Sequence, residues 1–289
     1  MSTHDYADVN SVRLHYVSEG SGDLILFLHG FPEFWYAWRE QLAEFGKDHR
    51  AVAVDMRGYN LSEKPSAVEA YQMPELIEDV RALIEHLGYR TCTLVGHDWG
   101  GVVAWAVAHR YPDLLDRLVI INAPHGAIFA RELRDNPAQQ AASQYMLMFR
   151  SDEAEAVLSA NNYAVLTDAV LGTSSAFTDA DRAAYLAAWS QPGALTGGLN
   201  YYRAARIGPP TEEETRAAPR PHGASPAPLA VPTLVIWGEA DTALLTGNLD
   251  GLDAQVANLT IVRIPEGTHW VIHEQPARVD DEIRKFLTT

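Results

Sequence analysis

The first part of the chain alternates short continuous apolar runs with amphipathic segments. The run Leu24–Leu28 ends at His29-Gly30, and its length and continuity are typical of a strand buried on both faces. Across 73–87 apolar residues recur at spacings of three and four, which predicts an amphipathic helix ending before Gly88. Strands that alternate with helices pair in parallel, with helices on both faces of the sheet. The predicted elements are strands at 24–28, 50–55, 91–95 and 118–121 and helices at 73–87 and 102–110.

The pattern changes after Asn122-Ala-Pro124. From about 128 to 199 the sequence is Ala-rich and helical, and 208–232 is rich in Pro, Ala and Glu, which predicts a loop or linker. Strand patterns resume at 232–237 and 259–264, before a final helix. We therefore predict a mostly parallel α/β core that is interrupted by a helical insertion. The predicted boundaries are 1–127 and 229–289 for the core and 128–228 for the insertion with its Pro-rich return linker, and the final helix is predicted at 276–287.

Composition and charge narrow the possible functions. The chain has 289 residues, of which 47% are apolar and 21% are charged, an ordinary globular composition. Asp and Glu number 38 against 22 Lys and Arg, and the net charge of −16 repels nucleic acids and anionic lipid surfaces. The single cysteine, Cys92, has no partner for a disulfide. The polar first ten residues and the lack of about 18 consecutive apolar residues predict a soluble, cytoplasmic protein.

The segment Leu94-Val-Gly-His-Asp-Trp-Gly-Gly101 carries the candidate chemistry. A strand, a tight turn with small residues and a helix form a nucleophile elbow, with Asp98 at its centre. A carboxylate is ionised at neutral pH and needs no base to attack a saturated carbon. The product of that attack is an alkyl ester of Asp98, so the reaction should open a carbon–oxygen or carbon–halogen bond. The competing interpretation, a helix-capping aspartate, does not require the small residues around it.

Hydrolysis of such an ester requires a histidine base oriented by a carboxylate. Asp241 and His269 lie in loops after the two resumed strands, in the chain order that this fold requires. Glu239 is the alternative acid and His273 the alternative base. We expect His97, beside the nucleophile, to pack into the elbow.

The turn after the first apolar run supplies candidate oxyanion donors. In His29-Gly-Phe-Pro32, proline cannot donate a hydrogen bond, so the backbone N–H of Phe31 is the better candidate. The N–H of Trp99, which follows the nucleophile, is the second.

The sequence resembles the epoxide hydrolases of the α/β-hydrolase fold, and the resemblance covers essentially the whole chain. The segments that carry it are His29-Gly-Phe-Pro-Glu33, Asp55-Met-Arg-Gly-Tyr59, Gly96-His-Asp-Trp-Gly-Gly101, Thr196-Gly-Gly-Leu-Asn-Tyr-Tyr-Arg203 and Gly267-Thr-His-Trp270. The resemblance implies that the insertion is a helical cap (lid) and that the enzyme needs no cofactor or metal.

The same resemblance implies two cap tyrosines that hydrogen-bond and protonate the epoxide oxygen. The motif places one of them at Tyr202 and, by a looser match, the other at Tyr145; Tyr201 and Tyr163 are alternatives. An alkoxide is a poor leaving group without an acid, and tyrosine remains protonated at neutral pH.

The resemblance thus implies that water converts a small hydrophobic epoxide to a vicinal diol. Expected apolar pocket walls include Trp35, Met146 and Trp270, together with the side chains of Phe31 and Trp99. The expected partners are the epoxide and water, and the chain is a monomer or a homodimer.

Two other functions stay open at this point. Haloalkane and haloacid dehalogenases share the aspartate elbow, but those relatives have asparagine at the position of Phe31 or arginine at that of Trp99. A non-catalytic ligand-binding protein on the same fold is the second, because a fold does not determine function.

Overall fold

The computed structural model describes residues 2–173, 177–211 and 228–288. Its centre is one sheet. The strands are β1 (Thr3–Val9), β2 (Val12–Glu19), β3 (Leu24–Leu28), β4 (Arg50–Val54), β5 (Cys92–His97), β6 (Leu115–Ile121), β7 (Thr233–Gly238) and β8 (Leu259–Ile264). Their order in the sheet is β1-β2-β4-β3-β5-β6-β7-β8. The first two strands pair antiparallel and β2 joins β4 antiparallel, whereas all later neighbours pair in parallel. The predicted α/β-hydrolase fold is confirmed.

Helices cover both faces of the sheet. The residues of β3 explain why its sequence is continuously apolar: Leu26 points into one hydrophobic core and Phe27 into the other, and both are fully buried. The helices of the core are α1 (Arg39–Phe45), α2 (Met73–His86), α3 (Trp99–Arg110), α10 (Val271–Glu274) and α11 (Pro276–Leu287).

The described elements between β6 and β7 are helical, and we refer to these helices, within 126–205, as the cap. Thr178 begins one of these helices with a capping box, because its hydroxyl accepts the N–H of Asp181 and that carboxylate accepts the N–H of Thr178. Residues 212–227 of the predicted return linker lie outside the described residues. The helices are α4 (Gly126–Asp135), α5 (Pro137–Ala142), α6 (Tyr145–Arg150), α7 (Ala154–Val170, with non-helical backbone at 160–163), α8 (Asp179–Trp189) and α9 (Ala194–Ala205).

The sequence pattern did not predict the hairpin of β1 and β2. Strand β1 lies at the edge of the sheet, and only Ala7 of its seven residues is buried, so no apolar run marks it. The other strands of the core and helices α2 and α3 begin and end within a few residues of their predicted limits, and α11 coincides with its predicted span. The short helices α1 and α10 were not predicted. Within the described residues, no helix is long and apolar enough to cross a membrane. Cys92 is buried in the sheet.

Candidate active site

Asp98 occupies the sharp turn between β5 and α3. Its backbone has φ 50° and ψ −123°, an unusual conformation that presents the side chain above the carboxyl edge of the sheet. The turn needs glycine on both sides: a Cβ at Gly96 would overlap the carbonyl of Gly100, and one at Gly100 would overlap the carbonyl of Leu28. The elbow predicted from the sequence therefore exists, with the carboxylate at the N-terminus of α3, where the helix dipole favours negative charge.

Two groups approach the Asp98 carboxylate from opposite sides. The backbone N–H of Phe31 donates to its Oδ1 at 2.8 Å. The Nε2 atom of His269 lies 3.6 Å from its Oδ2. Trp99 begins α3 directly after the nucleophile, so its N–H belongs to the unpaired first turn of that helix.

His269 is held by Asp241, as the chain order predicts. The Nδ1 of the imidazole lies 2.8 Å from Oδ2 of Asp241, whose carboxylate is fully buried. The other oxygen, Oδ1, accepts the N–H groups of Ala243 and Leu244 at 2.8 and 2.9 Å. This carboxylate is thereby fixed in one orientation, which in turn fixes the ring of His269 toward Asp98.

The charges of this group shift its pKa values. Burial would lower the pKa of His269, but the charge and hydrogen bond of Asp241, together with those of Asp98, raise it to about 10. Burial would likewise raise the pKa of Asp241, but the charge of His269 and the hydrogen bonds to the carboxylate lower it. The resting site therefore holds a protonated imidazole between two carboxylates.

Asn122 is a member of the site that the sequence analysis did not assign. It follows β6 with a left-handed backbone (φ 40°). Its amide donates to Oδ2 of Asp241 at 2.9 Å, and its Oδ1 accepts the N–H of Gly238 at 2.8 Å. Asn122 thus ties the ends of β6 and β7 together and orients Asp241. A polar residue directly after a buried strand was the available signal.

The alternative acid and base have other partners. Glu239 accepts a hydrogen bond from Arg263 at 2.8 Å in an exposed pair and lies outside this arrangement. His273 is buried and lies 2.5 Å from Glu33. His97 is buried in the elbow, and its Nε2 lies 2.8 Å from the carbonyl of His269.

The two predicted tyrosines line one cavity with Asp98. The side chain of Trp99 forms a hydrogen bond to the Tyr202 hydroxyl, and because an indole N–H only donates, that hydroxyl keeps its own proton for a ligand. Burial raises the pKa of each hydroxyl well above its ordinary value, and the negative charge of Asp98 adds to the shift. Both hydroxyls therefore keep their protons at neutral pH. They are free to donate them to a ligand in the cavity.

The alternative tyrosines do not face this cavity. The hydroxyl of Tyr201 donates to the carbonyl of Arg57 at 2.9 Å. Tyr163 lies in the interruption of α7, and its ring centroid is 6.0 Å from that of Trp189.

Comparison with known proteins identifies the family of the chain. The sequence pattern of the α/β hydrolase fold family matches residues 23–276. Epoxide hydrolase 1 of Caenorhabditis elegans is 38% identical, over 98% of this chain and 69% of the relative. Epoxide hydrolase 4 of Mus musculus is 36% identical, over 99% of this chain and 80% of the relative. The chain belongs to the epoxide hydrolases of the α/β hydrolase fold.

Solved structures of epoxide hydrolases superpose on nearly the whole chain. The epoxide hydrolase of Bacillus megaterium in complex with an inhibitor is 41% identical, with a TM-score of 0.90 over 99% of this chain and 100% of that one. An alanine mutant of the same enzyme, solved with its product (R)-3-[1]naphthyloxy-propane-1,2-diol, gives a TM-score of 0.91 at 40% identity, over 99% of this chain and 100% of that one.

The pocket of this epoxide hydrolase is apolar apart from the groups that carry the chemistry. Met146 lines it, as predicted. The prediction for Trp35 is wrong for this cavity: its ring packs against His4, and its backbone N–H donates to Asp55 at 2.9 Å. Trp270 packs edge-on against His269 and is not among the lining residues. The lining is formed by Asp98, Trp99, Val102, Pro124, Phe129, Tyr145, Met146, Tyr202, Ile207 and Leu244.

A buried carboxylate, that of Glu33, connects the core to the cap. Glu33 accepts the hydroxyl of Tyr185 on α8 at 2.8 Å, and its second oxygen lies 3.3 Å from Nδ1 of His97. Burial would raise the pKa of Glu33, but His273 and His97 lower it well below its ordinary value. In the sequence Glu33 belongs to one of the family motifs, and no local pattern marks this network.

Across residues 2–173, 177–211 and 228–288, no group of three or more His, Cys, Asp or Glu side chains is placed to hold a metal ion. The expectation that the enzyme needs no metal or cofactor stays a prediction.

Proposed function

We propose that this chain hydrolyses an epoxide to a vicinal diol through an alkyl ester of Asp98. One observation carries the proposal: the Asp98 carboxylate on the elbow lines the same cavity as two tyrosine hydroxyls, those of Tyr145 and Tyr202, that keep their protons at neutral pH. An epoxide bound between them presents a carbon to the carboxylate and its oxygen to the hydroxyls.

In the first step an oxygen of Asp98 forms a bond to an epoxide carbon while that carbon's bond to the epoxide oxygen breaks. The developing alkoxide takes a proton from Tyr145 or Tyr202, and the tyrosinate left behind is stabilised by the other hydroxyl. The ester of Asp98 is neutral, so His269 loses one of the charges that hold its pKa at about 10. The imidazolium then releases its proton, which restores the tyrosine, and becomes the neutral base of the next step.

In the second step His269 takes a proton from a water molecule that attacks the ester carbon of Asp98. The resulting oxyanion is positioned to accept the N–H groups of Phe31 and Trp99, and Phe31 already donates to this carboxylate at 2.8 Å. Collapse breaks the bond between the ester carbon and the substrate oxygen, which takes a proton from His269 as the diol leaves. The ionisation of Asp98 and the reprotonation of His269 restore the resting site. Asp241 keeps the imidazole oriented throughout.

The substrate we propose is a small hydrophobic epoxide. The walls of the cavity include Phe129, Met146 and Leu244, which provide apolar contact and no charge. The product bound to the Bacillus megaterium enzyme is a naphthyloxy-substituted vicinal diol, the kind of compound that hydrolysis of a hydrophobic epoxide gives. The cytoplasmic location and the choice between monomer and homodimer stay predictions.

A dehalogenase is disfavoured by the same cavity. A leaving halide needs N–H donors and no proton. The side chain of Trp99, which also lines the cavity, is already hydrogen-bonded to Tyr202, and the two tyrosine hydroxyls suit an oxygen leaving group. A ligand-binding role without catalysis does not explain why an oriented Asp241–His269 pair points at Asp98.

The test is diol formation from styrene oxide by the purified protein and by Asp98→Ala. We expect the wild type to form the diol and the variant to lose at least roughly a thousandfold in kcat. Glu239→Gln is the matched control. It removes a carboxylate that also follows a strand at this edge of the sheet, and the partner of that carboxylate, Arg263, is exposed. Alanine is preferable to asparagine, since water activated by His269 could hydrolyse asparagine to aspartate.

Diol formation by Asp98→Ala at the wild-type rate would contradict the proposed nucleophile. Halide release from a haloalkane by the wild type, without diol from styrene oxide, would contradict the proposed reaction.

A further inference from the structure

Tyr201 lies next to the proposed acid Tyr202 on α9 but points to a different part of the molecule. Its side chain is fully buried, and its hydroxyl donates to the backbone carbonyl of Arg57 at 2.9 Å. Arg57 belongs to the core loop after β4, so this hydrogen bond joins the cap helix to the core. The two neighbouring tyrosines therefore have different tasks: one binds the core and the other faces the cavity.

The core loop that receives this hydrogen bond is itself fixed. The guanidinium of Arg57 makes two hydrogen bonds to Asp79, at 2.6 and 2.5 Å, and a third to the carbonyl of Ala70 at 2.7 Å. All of this lies in the buried interior, since Arg57 is 3% and Asp79 5% exposed. These bonds hold Arg57 in place, so its backbone carbonyl is a fixed acceptor for the hydroxyl of Tyr201.

The backbone of α9 rests directly on this loop. A Cβ at Gly197 would overlap the carbonyl of Gly58, and one at Gly58, whose φ is +89°, would lie 3.0 Å from Gly197. Contact between two glycines sets the separation of helix and loop. Within the cap, Arg203 of the same helix pairs with Glu155. Against the core, the hydroxyl of Tyr201 adds the hydrogen bond that resists rotation of α9 about its axis.

Rotation of α9 would act strongly on Tyr202. Backbone Cα atoms lie about 2.3 Å from a helix axis and a tyrosine side chain adds roughly 6 Å, so a turn of about 10° moves the hydroxyl by roughly 1.5 Å. A misplacement of about 1 Å can cost on the order of a hundredfold in rate. Trp99 supports both side chains, with ring centroids 5.5 Å from Tyr201 and 5.1 Å from Tyr202.

We infer that Tyr201 is a positioning residue, which sets the rotation of α9 through its hydrogen bond to the Arg57 carbonyl and so places the hydroxyl of Tyr202 over the epoxide oxygen. The inference rests on the proposed function, because it assigns a role in ring opening. Ester hydrolysis uses Asp98, His269 and Asp241 and should not depend on it.

The test is Tyr201→Phe, with Tyr89→Phe as the control. The hydroxyl of Tyr89 also donates to a backbone carbonyl, that of Gly22 in the loop between β2 and β3, at 2.8 Å. Stopped-flow fluorescence with styrene oxide separates formation of the alkyl-enzyme from its hydrolysis. We expect Tyr201→Phe to slow formation about tenfold and to leave hydrolysis unchanged, whereas Tyr89→Phe changes neither rate constant.

A double variant decides whether Tyr201 acts through Tyr202. If it does, Tyr201→Phe added to Tyr202→Phe slows ring opening no further than Tyr202→Phe alone. A multiplied loss, an equal loss in both steps, or ring opening at the wild-type rate in Tyr201→Phe would overturn the inference. If Tyr201→Phe is not recovered folded, Tyr201→Met, which keeps an adaptable apolar side chain, serves in the same comparisons. A wild type that forms no diol would instead contradict the proposed function.

Discussion

The core and the cap present their functional groups in opposite states. On the core side every group is already bound: Asp98 by Phe31 and His269, and Asp241 by Ala243, Leu244 and Asn122. On the cap side, Tyr145 and Tyr202 present hydroxyls that keep their protons in the cavity, and Trp99 donates a hydrogen bond to Tyr202 without taking up its proton. In the proposed mechanism the core groups hold charge in one geometry through two steps, so they are fixed. The cap groups keep a proton for an oxygen that comes with the substrate.

The largest effect on this comparison is expected when the proposed base, His269, is removed from the core. In His269→Gln, Asp98 and the tyrosines remain, so ring opening should proceed and ester hydrolysis should slow by roughly a thousandfold. The intact protein should then gain the mass of one epoxide molecule, as measured by mass spectrometry after incubation with styrene oxide. A variant that neither accumulates the ester nor loses turnover would contradict the assignment of His269 to ester hydrolysis.

Removal of one cap hydroxyl should affect the other step. Tyr202→Phe deletes a proton donor to the epoxide oxygen, and we expect ring opening to slow by about ten- to a hundredfold while hydrolysis of the preformed ester stays unchanged. Tyr145→Phe should behave alike, and the double variant should lose nearly all ring opening because no acid remains. Single-turnover kinetics measures both steps. Slower ester hydrolysis in Tyr202→Phe would contradict the assignment of this tyrosine to ring opening alone.

The charges of the core site predict a pH-dependent contribution to stability. The pKa of His269 is raised from 6.5 to about 10 in the folded protein, so the ionised pair stabilises the fold fully below pH 6.5. That contribution is lost as the pH rises from 6.5 to about 10. Urea unfolding of wild type and His269→Gln across this window should show a difference in unfolding free energy that shrinks with rising pH. A difference that is constant or grows with pH would contradict the raised pKa.

A smaller effect is expected at Asn122, which only orients Asp241. Asn122→Ala removes the hydrogen bond of 2.9 Å to that carboxylate, and we expect ester hydrolysis to slow about tenfold with ring opening near normal. Glu239→Gln is the control. Because its partner Arg263 is exposed, we expect this substitution to change the free energy of unfolding by less than about 0.5 kcal/mol. Equal effects of the two substitutions would deny Asn122 its positioning role.

The parts of the site that could be predicted lie in short contiguous segments of the sequence. The elbow around Asp98 and the loops carrying Asp241 and His269 follow strands that are continuously apolar, so pattern and motif agree on where they lie. Tyr145 and Tyr202 were located only through the family resemblance, since an interior tyrosine carries no local mark of its role.

What the sequence could not supply was the pairing of distant residues. Glu33 meets a tyrosine 152 positions away, and Asn122 meets Asp241 across 119 positions. The same holds for Trp35, predicted as a pocket wall, whose ring instead packs against the edge strand β1. That strand escaped prediction because its residues are mostly exposed and polar, as suits an edge.

The covalent ester on Asp98 is the central claim, and a single turnover in water enriched in oxygen-18 tests it most directly. With enzyme in excess over styrene oxide, each Asp98 reacts once, and water attacks the carboxyl carbon of the ester. The account predicts an unlabelled diol and one labelled oxygen on the peptide that contains Asp98, both measured by mass spectrometry. A labelled diol from the first turnover, with Asp98 unlabelled, would show that water opens the epoxide directly and would contradict the account.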